Sequence, residues 1–385
     1  MRRLLVLASA MIFFDVTFYA AIAPLLPEYT ETFGIGEAGA GVLAAAYGAG
    51  TLVFALPGGL LAARVGPRRT AIVGLLILGG ASVVFGFANN IVLLDCSRFV
   101  QGVGGALVWA GALAWLIGAA PPERRGAVIG SALGIAIVGA LVGPALGGLA
   151  AAVGTEIVFS GVMVFAALLA ALATRLPEAE IAERQALREM ASALFRRPLL
   201  VAATFVTVPS LVYGAIEVLV PLRMDELGAG HLLISAGFIA GAALEATAAP
   251  LAGRYSDRAG RRNPYVAGAV VCAAAMVGIG VAAQLGGVIA GLLIVSAGAG
   301  LCIAPAIAAL SEITESARLH LGLAAGLSNM AWATGQVVGA LLGGALASLA
   351  GFAAPNVAIA VMLLATGAVA LRVLPAVPAH YAAPR

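Results

Sequence analysis

The sequence predicts an all-α polytopic membrane protein. Of its 385 residues, 62% are hydrophobic and only 10% are charged, whereas a soluble protein carries about 25% charged residues. Apolar runs of about twenty residues, the length that crosses a bilayer as a helix, recur along the whole chain. So few charges cannot cover a water-facing surface, and we therefore expect these runs to lie in lipid.

Twelve apolar runs are long enough to be transmembrane helices. An even number of spans places both termini on the same side of the membrane. The predicted spans are residues 4–26, 37–63, 70–88, 91–118, 126–152, 155–174, 198–221, 231–253, 265–284, 288–311, 320–348 and 353–374.

The basic residues set the predicted orientation. All 21 are arginines, and all except Arg98 and Arg223 lie at the termini or in loops on one side of the predicted topology. Because basic loops remain in the cytoplasm, both termini and the loop 175–197 are predicted to be cytoplasmic, in the plasma membrane. The net charge of +3 then reflects membrane orientation, and no nucleic-acid partner is expected.

An internal repeat divides the chain into two halves. A shift of 194 residues superimposes Gly34 on Gly228, Gly59 on Gly253, Arg64 on Arg258 and Gly66 on Gly260. Two parallel bundles of six spans are the simplest account. The predicted domains are residues 1–174 and 198–374, followed by a cytoplasmic tail at 375–385. The densely charged join at 175–197 is either a helix on the membrane surface or a solvated linker.

Two loops rich in glycine and arginine occupy equivalent positions of the repeat. Glycine permits a tight turn, and an acid and an arginine can pair at the cytoplasmic mouth. The second loop has Asp257 where the first has Ala63, and Glu312 at the end of the tenth span is expected to pair with Arg258 or Arg261. The matching residues are Gly59, Arg64, Gly66 and Arg68 in the first loop, and Gly253, Asp257, Arg258, Gly260 and Arg261 in the second.

These loops, together with the run R-F-V-Q-G-V-G that begins at Arg98, resemble the motifs of the major facilitator superfamily, and the resemblance covers the whole chain. It implies two six-helix bundles around a central cavity, with a substrate site near mid-membrane. It also implies a protein that alternates between inward-open and outward-open states. We expect a monomer in the bilayer that uses the proton gradient as its energy source and needs no cofactor.

The stretch 130–148 resembles the glycine motif of proton antiporters in this superfamily, which implies an exporter. Glycines spaced four residues apart form one helix face that lets a neighbouring helix approach closely, and a proline removes one backbone hydrogen bond. We expect this face to form an interface between moving halves, with ordinary tight packing as the alternative. The matching residues are Gly130, Gly139, Gly143, Pro144, Gly147 and Gly148.

Charged residues inside the predicted spans indicate a polar pathway. Each opposes insertion by roughly 2.5–3.5 kcal/mol. Competition between a proton and a cation at one buried carboxylate is the minimal antiport mechanism, and Asp15, with Tyr19 one turn later, is our first candidate for it. A protonated acid bonded to a neighbouring helix is the alternative. The charged residues that we place towards the bilayer centre are Asp15, Arg98, Glu217 and Glu245.

The remaining polar candidates also have structural alternatives. Glu217 follows Tyr213 by one turn, yet lies towards the outer end of its predicted span, where it could be a solvated interfacial side chain. Glu245 is either a proton site or a local polar contact, and Arg98 is expected to pair with a carboxylate or to cap loose carbonyls.

Two acids sharpen the resemblance. Asp15 in D-x8-P-x2-P and Glu217 before Pro221 resemble the drug:proton antiporter family, in particular its branch with the vesicular amine transporters. That branch carries further acids in the tenth and eleventh spans, where this chain has Gly300 and Asn329.

Together these features predict proton-coupled antiport of small hydrophobic, cationic compounds, with aromatic side chains lining the cavity. A proton-coupled uptake symporter for a sugar or another small nutrient is the alternative within transport, and a non-transporting sensor is a third. No enzyme and no metal site are expected, because the cysteines and histidines show no ligand or nucleophile grouping. The candidate cavity aromatics are Tyr47, Trp109, Tyr213 and Trp332.

Overall fold

The computed structural model describes residues 2–120, 125–178, 196–316 and 321–374. In these ranges all regular structure is helical, and twelve helices are long and apolar enough to cross a membrane. The predicted fold class, an all-α polytopic membrane protein, is therefore confirmed. Most of the predicted linker (179–195) and the predicted tail (375–385) lie outside the described residues.

Thirteen helices follow one another along the described ranges, and a 3₁₀ turn, Ala23–Leu25, separates the first two. They are α1 Arg2–Ala20, α2 Leu26–Phe33, α3 Glu37–Val65, α4 Pro67–Gly86, α5 Ile91–Ala119, α6 Arg125–Val153, α7 Thr155–Thr174, α8 Arg197–Glu226, α9 His231–Ala259, α10 Arg262–Val281, α11 Leu285–Ser316, α12 Leu321–Ala350 and α13 Ala353–Val373.

Prolines have different effects in the two equivalent helices α1 and α8. Around Pro24 and Pro27 the chain leaves the α-helix for a 3₁₀ turn and then starts α2, since proline removes a backbone donor and crowds the preceding turn. In contrast, α8 runs through Pro209 and Pro221 to Glu226. The seventh span therefore extends beyond residue 221, its predicted end.

The chain divides into two compact units, Met1–Gly34 with Val42–Gln185, and Ile35–Gly41 with Ala186–Arg385. In the first unit, α1 packs on α5 and α6, and α4 packs on α5 and α7. The second unit repeats these pairs, because α8 packs on α11 and α12, and α10 packs on α11 and α13. Each unit therefore buries its helices through the same set of neighbours.

Paired glycines make close helix crossings at equivalent places in the two units. A Cβ at Gly104 of α5 would lie 2.8 Å from the carbonyl oxygen of Gly74 of α4. The same glycine pair recurs 194 residues later with the two roles exchanged, since a Cβ at Gly268 of α10 would lie 2.8 Å from the carbonyl oxygen of Gly298 of α11. Small residues let backbones approach in this way, so that van der Waals contact can hold helices together in lipid.

The loops after α3 and α9 turn at equivalent glycines. Gly66 has φ of 102° and Gly260 has φ of 88°, a region that residues with a Cβ rarely adopt. The other two motif glycines, Gly59 and Gly253, lie inside α3 and α9 and make no turn. The predicted tight turn is therefore made only by the last glycine of each motif.

The substitution Gly104→Ala tests the glycine crossing, with Gly80→Ala in α4 as its matched control. A Cβ at position 104 would lie 2.7 Å from the Leu78 amide nitrogen, whereas position 80 has open space. We expect Gly104→Ala to lower the free energy of unfolding by about 1–3 kcal/mol. Gly80→Ala should be neutral or raise it by up to about 1 kcal/mol through helix propensity. Unfolding of the purified protein in detergent would measure both, and equal effects would contradict the packing role.

Candidate functional site

Asp15 is held inside the first unit by two aromatic side chains. Only 2% of its surface is exposed. The Tyr47 hydroxyl of α3 donates to Oδ1 at 2.5 Å, and the Trp109 indole N–H of α5 donates to Oδ2 at 2.9 Å. Both carboxylate oxygens thus accept a hydrogen bond from a different helix. Tyr19, the predicted partner, stacks on Tyr47 instead, with ring centroids 5.4 Å apart.

Arg98 lies next to this carboxylate and satisfies the end of α1. Its guanidinium donates to the carbonyl oxygens of Phe18 and Tyr19, both at 3.1 Å. Because α1 ends at Ala20, these carbonyls are at the helix end, where backbone acceptors lack regular helical donors, although Phe18 also accepts from the Ala21 N–H at 3.4 Å. The guanidinium also lies 5.0 Å from the centre of the Tyr47 ring, where a cation is attracted to the aromatic face. The expected role of Arg98 as a cap on loose carbonyls is observed.

Gly105 of α5 makes room for the Asp15–Tyr47 hydrogen bond. A Cβ at this position would overlap both the Tyr47 hydroxyl and Asp15 Oδ1. The residue lies one position beyond the R-x-x-Q-G-x-G match, and sequence reasoning missed it. Its role depends on a contact between three helices, which the order of residues does not reveal.

The glycine face of α6 packs against α1. A Cβ at Gly139 would lie 2.7 Å from the carbonyl oxygen of Phe13, one at Gly143 would lie 2.7 Å from that of Thr17, and Gly147 meets Ala21. Both helices advance by four residues per contact, so the two backbones run side by side. The expectation that this face separates two moving halves is therefore wrong for these three glycines, because α1 and α6 belong to the same unit.

The other residues of this motif are less informative. Pro144 lies inside α6, which continues through it as a helix, and Gly148 is buried. The surroundings of Gly130 lie outside the described residues.

Glu217 is a buried side chain and not a solvated one. It lies on α8 with 6% of its surface exposed, and the Gln336 amide nitrogen of α12 donates to its Oε2 at 2.9 Å. The solvated alternative is wrong because α8 continues to Glu226, nine residues or about 14 Å beyond Glu217. Gln336 itself is fully buried, and sequence reasoning missed it.

Glu245 of α9 accepts a hydrogen bond from Tyr213 of α8. The hydroxyl lies 2.6 Å from Oε1, and Glu245 as a whole residue is half-buried. Tyr213 lies one turn from Glu217 on α8, but its hydroxyl bonds to an acid on a different helix. The phenol and the acid are 32 residues apart, the same separation as Asp15 and Tyr47.

The two positions at which the resembling branch carries further acids have different surroundings. Asn329 is a half-buried residue of α12. A Cβ at Gly300 of α11 would lie 3.2 Å from the backbone carbonyl of Glu245. Gly300, which has no side chain, therefore lies next to the backbone of Glu245.

The loop after α9 forms a small ion-pair network. Arg261 donates to Asp257 at 2.5 Å and to Glu312 at 2.6 Å, so the predicted Glu312–Arg261 pair is present, while Arg258 is exposed. Partial burial opposes the charge of Arg261, but the hydrogen bonds that its guanidinium donates to Glu312 and Asp257 outweigh this effect and raise the pKa of Arg261. The partners are largely exposed, so each pair contributes at most about 1 kcal/mol.

The first loop obtains its acid from elsewhere. Arg68 pairs with Glu178 at 3.2 Å, and its backbone N–H donates to the same carboxylate at 2.7 Å. Glu178 follows α7 at the start of the linker, and it replaces the acid that is missing at Ala63. Arg64 is exposed. The contact that the motif lacks locally is therefore supplied by a residue 110 positions later.

Comparisons with known proteins point to one family. A family model described as the Major Facilitator Superfamily matches residues 5–318 and 210–385. The xylose transporter XylE from E. coli, in a partially occluded inward-open conformation, matches with a TM-score of 0.75 at 17% identity, over 97% of this chain and 99% of that chain. At this identity the likeness shows the fold alone.

Curated relatives match over shorter segments. Multidrug resistance protein Stp of Mycobacterium tuberculosis is 36% identical over 141 residues, which are 36% of this chain and 26% of that protein. Quinolone resistance protein NorA of Staphylococcus aureus is 25% identical over 138 residues, 36% of each chain. The chain thus matches about a third or less of the length of these relatives. The matched family and the solved structural neighbour are transporters and not enzymes.

A double-mutant cycle tests the assignment of Gly105. If Gly105→Ala acts by displacing the Tyr47 hydroxyl, it should lower the free energy of unfolding by less in a Tyr47→Phe background, which has no hydroxyl to displace. We expect a coupling energy of about 0.5–3 kcal/mol between the two substitutions, measured by unfolding in detergent. Gly80→Ala combined with Tyr47→Phe is the matched control and should be additive. Additivity at Gly105 would contradict the assignment.

Proposed function

The chain belongs to the Major Facilitator Superfamily, and we propose that it exports small hydrophobic cations in exchange for protons. In this proposal the proton gradient is the energy source and no cofactor takes part. The protein works as a monomer in the plasma membrane, with both termini in the cytoplasm as the arginine distribution favours. The two units alternate the access of the site between the two faces of the membrane.

The observation that carries this proposal is the aromatic enclosure of Asp15. One carboxylate lies between the polar edges of Tyr47 and Trp109, and the Tyr19 ring stacks nearby. A negative charge beside aromatic faces suits a ligand that is both cationic and apolar, because the charge attracts the cation and the rings stack on its flat apolar part. Sugar hydroxyls would need more hydrogen-bonding groups than these side chains offer.

Exchange follows from competition at the same carboxylate. A proton and a cation each neutralise Asp15, and both cannot be bound to the carboxylate at once. Arrival of the cation therefore favours release of the proton, and arrival of the proton favours release of the cation. If the site opens to opposite sides in turn, the inward flow of protons drives the cation outward.

The relatives support the same direction of transport. Stp and NorA are named for multidrug and quinolone resistance, and efflux of a drug is one way in which a transporter gives resistance. These matches cover only part of each protein, so they support the class of substrate and leave its identity open to experiment. The glycine motif of α6 adds support, since it resembles that of antiporters.

The first test uses inside-out vesicles with an imposed proton gradient and a pH-sensitive dye. Lipophilic cations and neutral drugs are added to wild type and to Asp15→Asn, with the exposed Asp225→Asn as the matched control. We expect cations to release protons from wild-type and control vesicles. Asp15→Asn should lower the initial rate about tenfold or more, because a buried charge pairing is worth about 2–5 kcal/mol.

Other outcomes would change the proposal. Proton release that survives in Asp15→Asn would retain antiport and move the exchanged proton to Glu217 or Glu245. No release with any compound would contradict export, and proton uptake on addition of a sugar would instead support the symporter.

A further inference from the structure

We propose that Glu245 and Tyr213 form a second proton-exchange site, at which a proton and a cationic group of the substrate compete. The site lies wholly in the second unit, between α8 and α9. This inference rests on the proposed antiport and adds a binding site to it.

The first argument is the repetition of the geometry. In the first unit a phenol on α3 donates to an acid on α1, and in the second unit a phenol on α8 donates to an acid on α9. Helices α1 and α8 are equivalent in the packing of the two units, and α3 and α9 carry the equivalent glycine–arginine motifs. The two pairs therefore join equivalent helices, with the acid and the phenol exchanged between them, and the second pair lies four residues further along each helix than the repeat of the first.

The second argument is the difference in charge compensation. Asp15 accepts two hydrogen bonds and lies near the Arg98 guanidinium, whose charge acts on it. Among the described residues, only Tyr213 bonds to Glu245, through Oε1. The nearest arginine on α9, Arg254, is nine residues or about 14 Å along the helix. The second carboxylate therefore lacks the cation that the first one has.

The arginines of the surrounding helices, Arg197 and Arg223 of α8 and Arg262 of α10, lie near the helix ends. Helix α9 packs on α8, α10 and α11. In the described parts of their membrane-embedded stretches, the titratable groups nearest to Glu245 are neutral or acidic. They are Tyr213 and Glu217 on α8, Cys272 on α10, and Cys302 and the distant Glu312 on α11. A carboxylate inside a membrane is stable only when it is paired or protonated, so a proton or a cationic ligand must neutralise Glu245.

The third argument is access. Asp15 is almost completely enclosed, whereas Glu245 is half-buried. Helix α9 also has the smallest buried share of the twelve candidate spans in the described chain, 22% of its most apolar window. A ligand therefore meets fewer packed side chains along α9 than it meets around Asp15.

Counting released protons tests the proposal. Tetraphenylphosphonium is added to the purified protein in weakly buffered detergent, and a pH dye reports the protons released per protein. We expect about two from wild type, about one from Glu245→Gln or Asp15→Asn, and none from the double variant, because each neutralised carboxyl exchanges one proton for the cation. Glu226→Gln, an exposed acid at the end of α8, is the matched control and should equal wild type.

The outcomes separate this proposal from the proposed function. If Glu245→Gln releases as many protons as wild type while Asp15→Asn releases fewer, the second site is wrong and antiport stands. If wild type binds the cation without releasing a proton, both the second site and the proposed antiport are contradicted. Glu245→Asp should restore release if the loss in Glu245→Gln is chemical, and a monodisperse elution profile excludes misfolding.

Carbodiimide labelling provides a readout on the unsubstituted protein. Dicyclohexylcarbodiimide adds to a protonated carboxyl group: the acid proton moves to the carbodiimide nitrogen and the carboxylate oxygen bonds to its central carbon, with no oxidant or reductant required. Mass spectrometry of the Glu245 peptide should show the adduct, and saturating tetraphenylphosphonium should reduce it about tenfold or more, since a bound cation replaces the proton. Absence of the adduct, or an adduct that the cation does not affect, would overturn the proposal.

Discussion

Water stabilises an ionised carboxylate through hydrogen bonds and polarisation, and a bilayer supplies neither. Every acid inside the twelve spans must therefore find donors or a cation within the protein, or hold a proton. Asp15 finds Tyr47 and Trp109, Glu217 finds Gln336, and Glu245 finds Tyr213. Because each donor comes from another helix, satisfying these acids also fixes which helices are neighbours and how they are rotated.

Close helix approach makes these partnerships possible. The donors reach the acids only where backbones nearly touch, and glycine is found at those places: Gly105 faces the Asp15–Tyr47 bond, and Gly214 of α8 meets the backbone of Gln336. Glycine weakens an isolated helix by about 1 kcal/mol per residue. In a membrane, this loss is offset by packing and by the hydrogen bonds that the approach allows. The glycines thus allow the close helix packing through which the buried acids reach their donors.

The sequence predicted the spans, the repeat and the pairing of Arg261 with Glu312, because these follow from local hydropathy, fixed spacing and charges at adjacent helix ends. It did not reveal the partners of the acids. Tyr47, Trp109 and Gln336 lie 32, 94 and 119 residues from the carboxylates they bond, and only the rotation of packed helices brings them together. The glycine face of α6 shows the same limit: its spacing predicted close packing, but its neighbour proved to be α1.

The two carboxyl–phenol pairs differ in a way that suits an exchanger. An exchanger must not change state while its site is empty and ionised, because that step would dissipate the proton gradient without export. Two donors and the nearby Arg98 offset part of the cost of burying a charge on Asp15, so Asp15 gives up its proton to an arriving cation more readily than Glu245 does. Glu245 has one hydrogen-bond donor and no cation among its described neighbours. Its ionised form is therefore unfavourable when no ligand is bound. In the proposed cycle, the first unit therefore attracts the substrate. The second unit opposes the change of state when neither a proton nor the substrate is bound.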